Sequence, residues 1–454
     1  MQPNRKVEDA VILVDSKIRD LDVAALIAHH LGNLGIKCHL EPLEAYRAVI
    51  GAYKPGLIVF NHLNASHLIA LSKRLQDMGV LTAVLPNEGI LYDNDVARFY
   101  SNRYHNGSHI DYFLCWNESH RDALLAEGFA KDTHIEVVGV PRFDFYFEPW
   151  SKLLQRPKPI SSKRPRILFC TNLSTADYWE LPREQGDKLF AMWVNRVPLY
   201  TDYWPAIQAQ WRGRNKIPAF LEALIASDRF EVIFRPHPVE TVEFYEKWIA
   251  TLTDEQRKHF HYDRNSNVSG LILNCDLEVS VETCTTALEA WICKKPTIEL
   301  VLEKHPLWYR EIQAKANVPC DDPAKLPDLV TKLLNEPPDL EIAKARTKHL
   351  ADWCATPDGT SSLRIALLFA NALFNKKPAD WSKLTLTDKR RAAKLRTMNA
   401  LGQAYHFDPL LPIKRALFRE RYAMKDFTYR KSIMPKDVRE ALRRLEKAEA
   451  RGGR

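Results

Sequence analysis

The N-terminal part of the chain alternates short apolar runs with polar loops and amphipathic stretches. The runs "AVILV", "LIVF", "LTAVL", "YFLCW" and "IEVVGV" each end in a polar loop, and most of them lead into a stretch with helical spacing. Continuous runs of Val, Ile and Leu between helices are typical of parallel strands that are covered on both faces. The pattern therefore predicts a doubly wound, Rossmann-like α/β domain over residues 1–150.

A second series with the same rhythm follows the stretch "SKLLQRPKPISSKRPR", whose proline and lysine content predicts a linker. The stretches "RILFCTNLS", "FEVIFRPHP", "GLILNCDLEVSVETCTTALEAWICKKPTIEL" and "LPDLVTKLLNE" predict a second Rossmann-like domain over 151–375, with an aromatic helical insertion at about 180–215. In open parallel sheets ligands bind beyond the carboxyl ends of the strands. We therefore expect a ligand cleft between two domains, the first on the acceptor side and the second on the nucleotide-sugar side.

The positive charge of the protein is concentrated at its C-terminal end. The net charge is +8, yet Lys376–Arg454 holds 22 Lys and Arg against 9 Asp and Glu, with apolar side chains among them at helical spacing. Such a segment is attracted to anionic lipid or to nucleic acid. The pattern favours a basic helical extension at the inner membrane surface and no nucleic-acid partner; a solvated helical appendage is the alternative.

Several function classes are disfavoured by what the sequence lacks. No apolar run approaches the roughly 20 residues of a membrane span, and the apolar run near the N-terminus is too short for a signal peptide. We expect a cytoplasmic protein, peripheral to the inner membrane. The eight cysteines form no CxxC pair, and neither GxGxxG nor GxxxxGK[ST] occurs, which argues against a zinc site, a dinucleotide oxidoreductase and a P-loop NTPase. No metal and no cofactor are expected.

The stretch "SVETCTTALEAWICKKP" predicts a phosphate site. Hydroxyl side chains and free backbone N–H groups at the start of a helix attract an anion, although ordinary N-capping explains the same residues. Glu289, one turn into the helix, is placed to accept the two hydroxyls of a ribose. The candidate nucleotide-binding residues in this stretch are Ser280, Glu282, Thr283, Thr285, Thr286 and Glu289.

The stretch "EVIFRPHPVE" ends a predicted strand on a histidine between two prolines. Proline fixes its own φ, so His237 is held in a restricted backbone at the expected mouth of the cleft. There it can donate to a nucleotide phosphate and stabilise the phosphate as a leaving group. A lone histidine is more often structural than functional, but this one precedes the hydroxyl-rich stretch by about forty residues, which makes the combination more specific.

These stretches together resemble a known family. Glu88-Gly89, His237-Pro238 and Ser280 with the threonines after it match an acidic-Gly motif, an HP motif and a Ser/Thr motif. Over residues 7–340 the chain is similar to the surface-carbohydrate-biosynthesis proteins, which have GT-B-like folds and include retaining β-Kdo glycosyltransferases of capsules and lipopolysaccharides. The resemblance implies a CMP-activated donor of Kdo or a related ulosonic acid, and a lipid-linked or oligosaccharide acceptor.

The resemblance also implies roles for individual residues. Asp177 best matches the nucleophilic aspartate of a double displacement, although this chain has "CTNLSTAD" where related enzymes carry an Asp-Gln-Thr-type stretch, and Asp202 is a rival. A carboxylate suits this step because it stabilises an oxocarbenium-like state before it bonds to the anomeric carbon. Glu88 is expected as general acid or base near the acceptor. Candidates for pairing with the donor's carboxylate are Arg235, Lys17 and Arg19.

Two alternatives remain open from the sequence. A UDP-sugar 2-epimerase or a CDP-polyol phosphotransferase also places a strand-end histidine and a hydroxyl-rich helix start in such a cleft. A non-catalytic partner in glycan assembly would keep the fold without using the carboxylates.

Overall fold

The computed structural model of the protein describes residues 7–63, 65–103, 107–129, 132–154, 163–336 and 339–452. The chain forms two compact units. Unit one comprises Met1–Leu91, Tyr100–Leu153 and Trp353–Arg454, and unit two comprises Tyr92–Phe99 and Leu154–Asp352. Each unit is built around one parallel sheet.

The sheet of unit one has six strands in the order β2-β1-β3-β4-β5-β6, and every neighbouring pair is parallel. All five side chains of the first strand and all four of the third are buried, as expected for strands covered on both faces. The strands are β1 (Ala10–Val14), β2 (Cys38–Pro42), β3 (Leu57–Phe60), β4 (Leu81–Val84), β5 (Tyr112–Cys115) and β6 (His134–Val137).

The sheet of unit two is also parallel and has the order β12-β11-β10-β7-β8-β9. Its strand order reverses between β7 and β10, which is where open α/β sheets bind ligands at the carboxyl ends of the strands. The strands are β7 (Arg166–Cys170), β8 (Glu231–Arg235), β9 (Phe260–Tyr262), β10 (Leu277–Val281), β11 (Thr297–Leu300) and β12 (Val318–Cys320).

Helices connect most of the strands and fill the C-terminal part of the chain. Over the described residues they are α1 (Lys17–Asn33), α2 (Ala48–Tyr53), α3 (Ser66–Asp77), α4 (Asn94–Asn102), α5 (Glu118–Ala126), α6 (Arg183–Phe190), α7 (Trp204–Ala226), α8 (Val242–Thr251), α9 (Asp254–Arg257), α10 (Val268–Asn274), α11 (Thr286–Ile292), α12 (Glu311–Ala314), α13 (Leu326–Asn335), α14 (Leu340–Cys354), α15 (Ser361–Asn375), α16 (Leu386–Ala400), α17 (Leu411–Leu417), α18 (Arg419–Lys431) and α19 (Pro435–Gly452).

This architecture confirms the predicted fold class. Both sheets are parallel with helices between their strands, which is a GT-B-like pair of Rossmann-like units, and a helical C-terminal extension is present. The stretch at 180–215 contains α6 and the first part of α7, whose aromatic side chains form a small cluster with Leu307. The core of the predicted linker, 155–162, lies outside the described residues. In the part of the chain that is described, no helix combines the length and the apolar character that a membrane span requires.

The division of the chain differs from the predicted boundaries at 150 and 375. Unit two ends at Asp352, and everything from Trp353 onward belongs to unit one together with the first sheet. Helix α15 packs on α1, α16 packs on α2, and α19 packs on α1. The C-terminal helices are therefore largely integral to unit one, and the sequence did not reveal this because the contacts join segments more than 300 residues apart.

Buried side chains from beyond residue 375 complete the core of unit one. Ala379 and Leu395 lie in the same apolar cluster as Val11 and Phe60 of the sheet. The carboxylate of Asp388, on α16, is buried and accepts hydrogen bonds from the Arg74 guanidinium at 2.5 and 3.0 Å. This ion pair joins the third helix of the chain to the extension.

The pair gives a stability prediction. Burial acts to raise the pKa of Asp388, but the hydrogen bonds from Arg74 and Thr385 outweigh it and hold the pKa below its usual value. A depressed carboxyl pKa contributes stability above the unfolded-state value near 4, and that contribution is lost as the pH falls further. Asp388→Asn should therefore lower the free energy of unfolding by about 2 kcal/mol at pH 7 and by much less near pH 2.

Urea denaturation at the two pH values measures this difference. The control is Asp328→Asn, which removes an exposed ion pair with Arg229 in unit two and should cost well under 1 kcal/mol. An equal cost of Asp388→Asn at both pH values would contradict the charge-pair account.

Candidate functional site

A buried glutamate organises the carboxyl ends of β7 and β8 in unit two. One oxygen of Glu240 accepts hydrogen bonds from the Thr171 hydroxyl at 2.8 Å, the Leu173 backbone N–H at 2.9 Å and the His237 backbone N–H at 3.1 Å. Its other oxygen accepts from the Tyr245 hydroxyl at 2.6 Å. Glu240 thus fixes two strand-end loops relative to each other. The sequence analysis missed this role, although an acidic residue three positions after the histidine was a usable signal.

His237 follows β8 in the loop that Glu240 holds. Its ring Nδ1 accepts from the Val239 backbone N–H at 3.4 Å, which assigns the proton of a neutral ring to Nε2. Burial, and then the neighbouring Arg235 guanidinium, lower the pKa of His237. The ring is accordingly neutral at pH 7 and presents one N–H donor.

Arg235 is bound to backbone carbonyls. Its guanidinium donates to the carbonyl oxygens of Arg264 at 2.7 Å and Ser266 at 3.3 Å. These bonds brace the segment after β9. The predicted pairing of Arg235 with a donor carboxylate would have to compete with both bonds, so the geometry favours a bracing role.

The turn between β10 and α11 has an unusual backbone. Glu282 and Thr283 have φ of 58° and 46°, so two consecutive residues with side chains occupy the left-handed region. Such conformations cost free energy and concentrate at functional sites. The Thr283 N–H donates to Glu299 at 2.8 Å, and the Thr283 hydroxyl donates to the Trp308 carbonyl at 2.9 Å and accepts from the Arg310 N–H at 3.1 Å. The turn is thereby fastened to the loop after β11.

The predicted hydroxyl side chains do not form one cluster in the structure. Ser280 is fully buried within β10, and the Thr286 hydroxyl donates to Glu278 at 2.7 Å, so both point into the unit. The Thr283 hydroxyl already forms its hydrogen bonds with the loop after β11. Thr285, the residue before α11, is half-buried and forms no capping hydrogen bond. Sequence reasoning could not separate these hydroxyls, because periodicity does not say which threonine faces inward.

Four carboxyl groups are buried around this turn. Burial raises the pKa of Glu299 to about 7, and it raises the pKa of Glu278 well above its ordinary value. Burial, followed by the charges of Glu299 and Glu303, does the same to the pKa of Glu282. The Glu282 Oε2 atom is buried and has no hydrogen-bond partner among the described residues. Glu289, the fourth, is buried on α11.

The two candidate nucleophiles have different surroundings. Asp177 forms an ion pair with the buried Arg214 through one oxygen and accepts from the Thr241 hydroxyl through the other. Both carboxylate oxygens of Asp177 therefore already accept hydrogen bonds from other side chains. Asp202 is exposed, and its charge acts on His305. The geometry favours Asp177 as a brace and leaves Asp202 as the more available carboxylate.

The acidic-Gly pair lies after β4 in unit one. Glu88 is exposed, and its charge acts on Arg19. A Cβ on Gly89 would lie 2.5 Å from Cγ of Trp116, so glycine is required here by close packing. Asn117, which caps α5, donates to the Gly89 carbonyl at 2.8 Å.

A small cavity lies at the carboxyl ends of β1, β3 and β4 in unit one. It is lined mostly by apolar side chains, and its polar members are Arg19, Asp20, Asn61, Asn87 and Arg142. The indole N–H of Trp116 and the Asn61 Oδ1, which both belong to lining residues, have no partner among the described residues. Arg142, which stacks over Trp116, was missed by the sequence analysis because it follows no apolar run directly.

The basic residues at the start of α1 are already paired. Lys17 donates to Asp437 at 2.7 Å, and Arg19 donates to Asp20 at 2.6 Å and to Asp15 at 3.0 Å. Their predicted pairing with a donor carboxylate would require exchange of these partners. Over the described residues, no group of three or more His, Cys, Asp and Glu side chains is arranged to hold a metal ion.

Comparison with solved structures identifies relatives of this fold. A protein assigned as a UDP-N-acetylglucosamine 2-epimerase from Listeria monocytogenes is 14% identical, with a TM-score of 0.51, over 81% of this chain and 97% of that chain. A second UDP-N-acetylglucosamine 2-epimerase is also 14% identical, with a TM-score of 0.51, over 82% of this chain and 99% of that chain. At this identity the likeness establishes a shared GT-B-like fold. No family model and no curated protein matches the sequence.

The buried carboxyl groups predict a pH dependence. The raised pKa of Glu299 means that the unfolded chain loses this proton near pH 4.5 while the folded chain keeps it until about pH 7. The free energy of unfolding therefore falls as the pH rises through that window. Glu299→Gln, which keeps the acceptor for the Thr283 N–H, should remove about 3 kcal/mol of this fall.

Urea denaturation at half-unit pH steps from 4.5 to 7 would measure the effect. Glu341→Gln, which removes an exposed carboxylate from α14 of the same unit, is the control. An unchanged pH slope in Glu299→Gln would contradict a protonated Glu299.

Proposed function

We propose that the protein is a glycosyltransferase that moves Kdo, or a related ulosonic acid, from a CMP-activated donor to a bacterial surface glycan. The fold supports this, because the GT-B-like pair of Rossmann-like units matches the architecture that the family resemblance implies. The donor, the acceptor and the retaining course of the reaction are part of the proposal. No metal and no cofactor are assigned to it.

The observation that carries the proposal is the state of His237. The ring is neutral, its Nδ1 is directed to the backbone, and its Nε2 proton is available at the carboxyl edge of the second sheet. A neutral donor can bind a phosphate oxygen at pH 7 without having to be charged first. The four hydrogen bonds to Glu240 keep the strand ends beside it in place.

Glu282 and Thr285 are the next members of the proposed phosphate site. Burial raises the pKa of Glu282 well above its ordinary value, and in its protonated form this carboxyl donates a hydrogen bond as well as accepting one, so it suits an anionic ligand that a carboxylate would repel. The Thr285 hydroxyl, next to it in the same turn, makes no capping bond. Glu289 keeps its proposed role at the ribose.

The proposed chemistry is a double displacement. A carboxylate attacks the anomeric carbon as the bond to the CMP phosphate oxygen breaks, and CMP leaves with the electron pair. An acceptor hydroxyl then displaces the carboxylate and passes its proton to Glu88, which is exposed in unit one. Among the two candidate nucleophiles, the free carboxylate of Asp202 is favoured over Asp177, which holds Arg214.

A UDP-sugar 2-epimerase is the second candidate. The two solved structures described above carry that assignment, and a buried carboxyl group with a pKa of about 7, such as Glu299, is also suited to proton transfer at a sugar carbon. The choice between the candidates depends first on the nucleotide.

Nucleotide preference can be measured by thermal shift with CMP, UDP, CDP and GDP. We expect CMP to raise the melting temperature most, since a ligand at 100 times its Kd adds about 2.7 kcal/mol. His237→Ala should weaken CMP binding by about 1–3 kcal/mol in a calorimetric titration. His134→Ala, an exposed histidine of β6, is the control and should bind CMP as the parent does.

A preference for UDP would replace the transferase proposal with the epimerase one. Unchanged CMP affinity in His237→Ala would remove His237 from the phosphate site while leaving the nucleotide assignment intact.

The nucleophile can be located by mass spectrometry of protein quenched during turnover of CMP-Kdo. We expect a covalent adduct of one Kdo residue on Asp202, absent from Asp202→Asn. Asp177→Asn should still form the adduct but unfold more easily, because it leaves the buried Arg214 without its carboxylate. An adduct found on Asp177 would refute this assignment. So would the absence of any adduct from Asp177→Asn, which should still carry it on Asp202.

A further inference from the structure

Helix α17 exposes its apolar face. Leu410, Ile413 and Leu417 recur at intervals of three and four residues, which places them on one side of a helix. They are 53%, 59% and 69% exposed, and Phe418 at the end of the helix is 56% exposed. This is one of the densest runs of exposed large apolar side chains in the described chain.

Another side of α17 faces the protein, and a polar contact lies between the two sides. Leu411 is buried there, and the Lys414 ammonium donates to Asp408 at 2.8 Å. A surface helix of a water-soluble domain normally buries its apolar stripe and exposes its charges. Helix α17 departs from this rule because Ile413 and Leu417 on its outer side are exposed, so water is an unfavourable environment for that side.

Positive charge surrounds this apolar face. Between positions 410 and 431 the chain has seven Lys and Arg against two Asp and Glu. Helix α18 packs on α17, and its Arg421 and Lys425 are exposed. Apolar side chains flanked by cations match the interface of an anionic bilayer, where apolar groups insert among the acyl chains and cations pair with headgroup phosphates.

We propose that residues 410–425 are a lipid-docking segment that binds the protein to an anionic membrane surface. Leu410, Ile413, Leu417 and Phe418 enter the headgroup region, and Arg421 and Lys425 contact the phosphates. A nucleic acid would satisfy the cations but would leave the aliphatic side chains in water, so lipid is the better occupant. The proposal goes beyond the glycosyl transfer and does not depend on the identity of the donor.

The test uses the full chain and sedimentation with vesicles. We expect binding to vesicles of phosphatidylcholine with 30% phosphatidylglycerol and at least tenfold weaker binding to pure phosphatidylcholine. The double variant Ile413→Asp/Leu417→Asp should lose at least tenfold in partition to the anionic vesicles. Arg421→Glu/Lys425→Glu should lose the preference for anionic lipid.

The matched control is Leu340→Asp/Leu386→Asp, which places the same two charges at leucines that are equally exposed but lie outside the segment. It should bind vesicles as the parent does. All three variants should keep the parent melting temperature, because each changes exposed side chains only.

Three results would overturn the proposal. The first is equal binding by the parent and Ile413→Asp/Leu417→Asp. The second is vesicle binding absent from the parent while a single-stranded RNA 20-mer is retained in a filter assay. The third is a parent dimer by sedimentation velocity that Ile413→Asp/Leu417→Asp converts to a monomer, which would assign the face to a second copy of the chain. Nucleotide binding, measured separately, reports on the proposed function and not on this segment.

Discussion

The structure of unit one depends on covering a parallel sheet whose strands are apolar on both faces. All five residues of β1 and all four of β3 are buried, so the sheet cannot be left open to water on either side. Part of the cover comes from residues near the other end of the chain, including Ala379 and Leu395. The C-terminal hundred residues are consequently a structural requirement of the N-terminal sheet, and the segment around α17 exposes an apolar face to solvent.

This constraint explains what the sequence could and could not predict. Runs such as "AVILV" and "RILFC" revealed buried parallel strands, because an unbroken apolar run indicates a strand that is covered on both faces. The fold class followed from their alternation with helices. The allocation of the extension to unit one did not follow, since nothing local to Leu395 or Asp388 indicates that the partners are a sheet core and Arg74, more than 300 positions earlier.

The same limit applies to the candidate site. Sequence placed His237 and the threonine-rich turn at strand ends, and the structure places both at the carboxyl edge of the second sheet. It could not show that Thr286 turns inward to Glu278 or that Asp177 is held by Arg214 and Thr241. The residue types predicted which side chains could bind a ligand. The local geometry decides which hydroxyl or carboxylate oxygens are not already bonded within the protein.

The electrostatics of the second sheet's edge favour a ligand that brings its own negative charge. Neutral His237 offers an N–H donor, and burial raises the pKa of Glu299 to about 7 and the pKa of Glu282 well above its ordinary value, so the edge holds less negative charge to repel a phosphate than ordinary carboxylates would. The same carboxyl groups would be costly if ionised, because four of them lie within one buried turn region. An anion bound at this edge would be stabilised by protonated donors, and it would in turn keep those protons in place by raising the carboxyl pKa values further. Binding of the proposed phosphate and carboxyl protonation would therefore be coupled in the direction that makes binding stronger as the pH falls toward the pKa of Glu299.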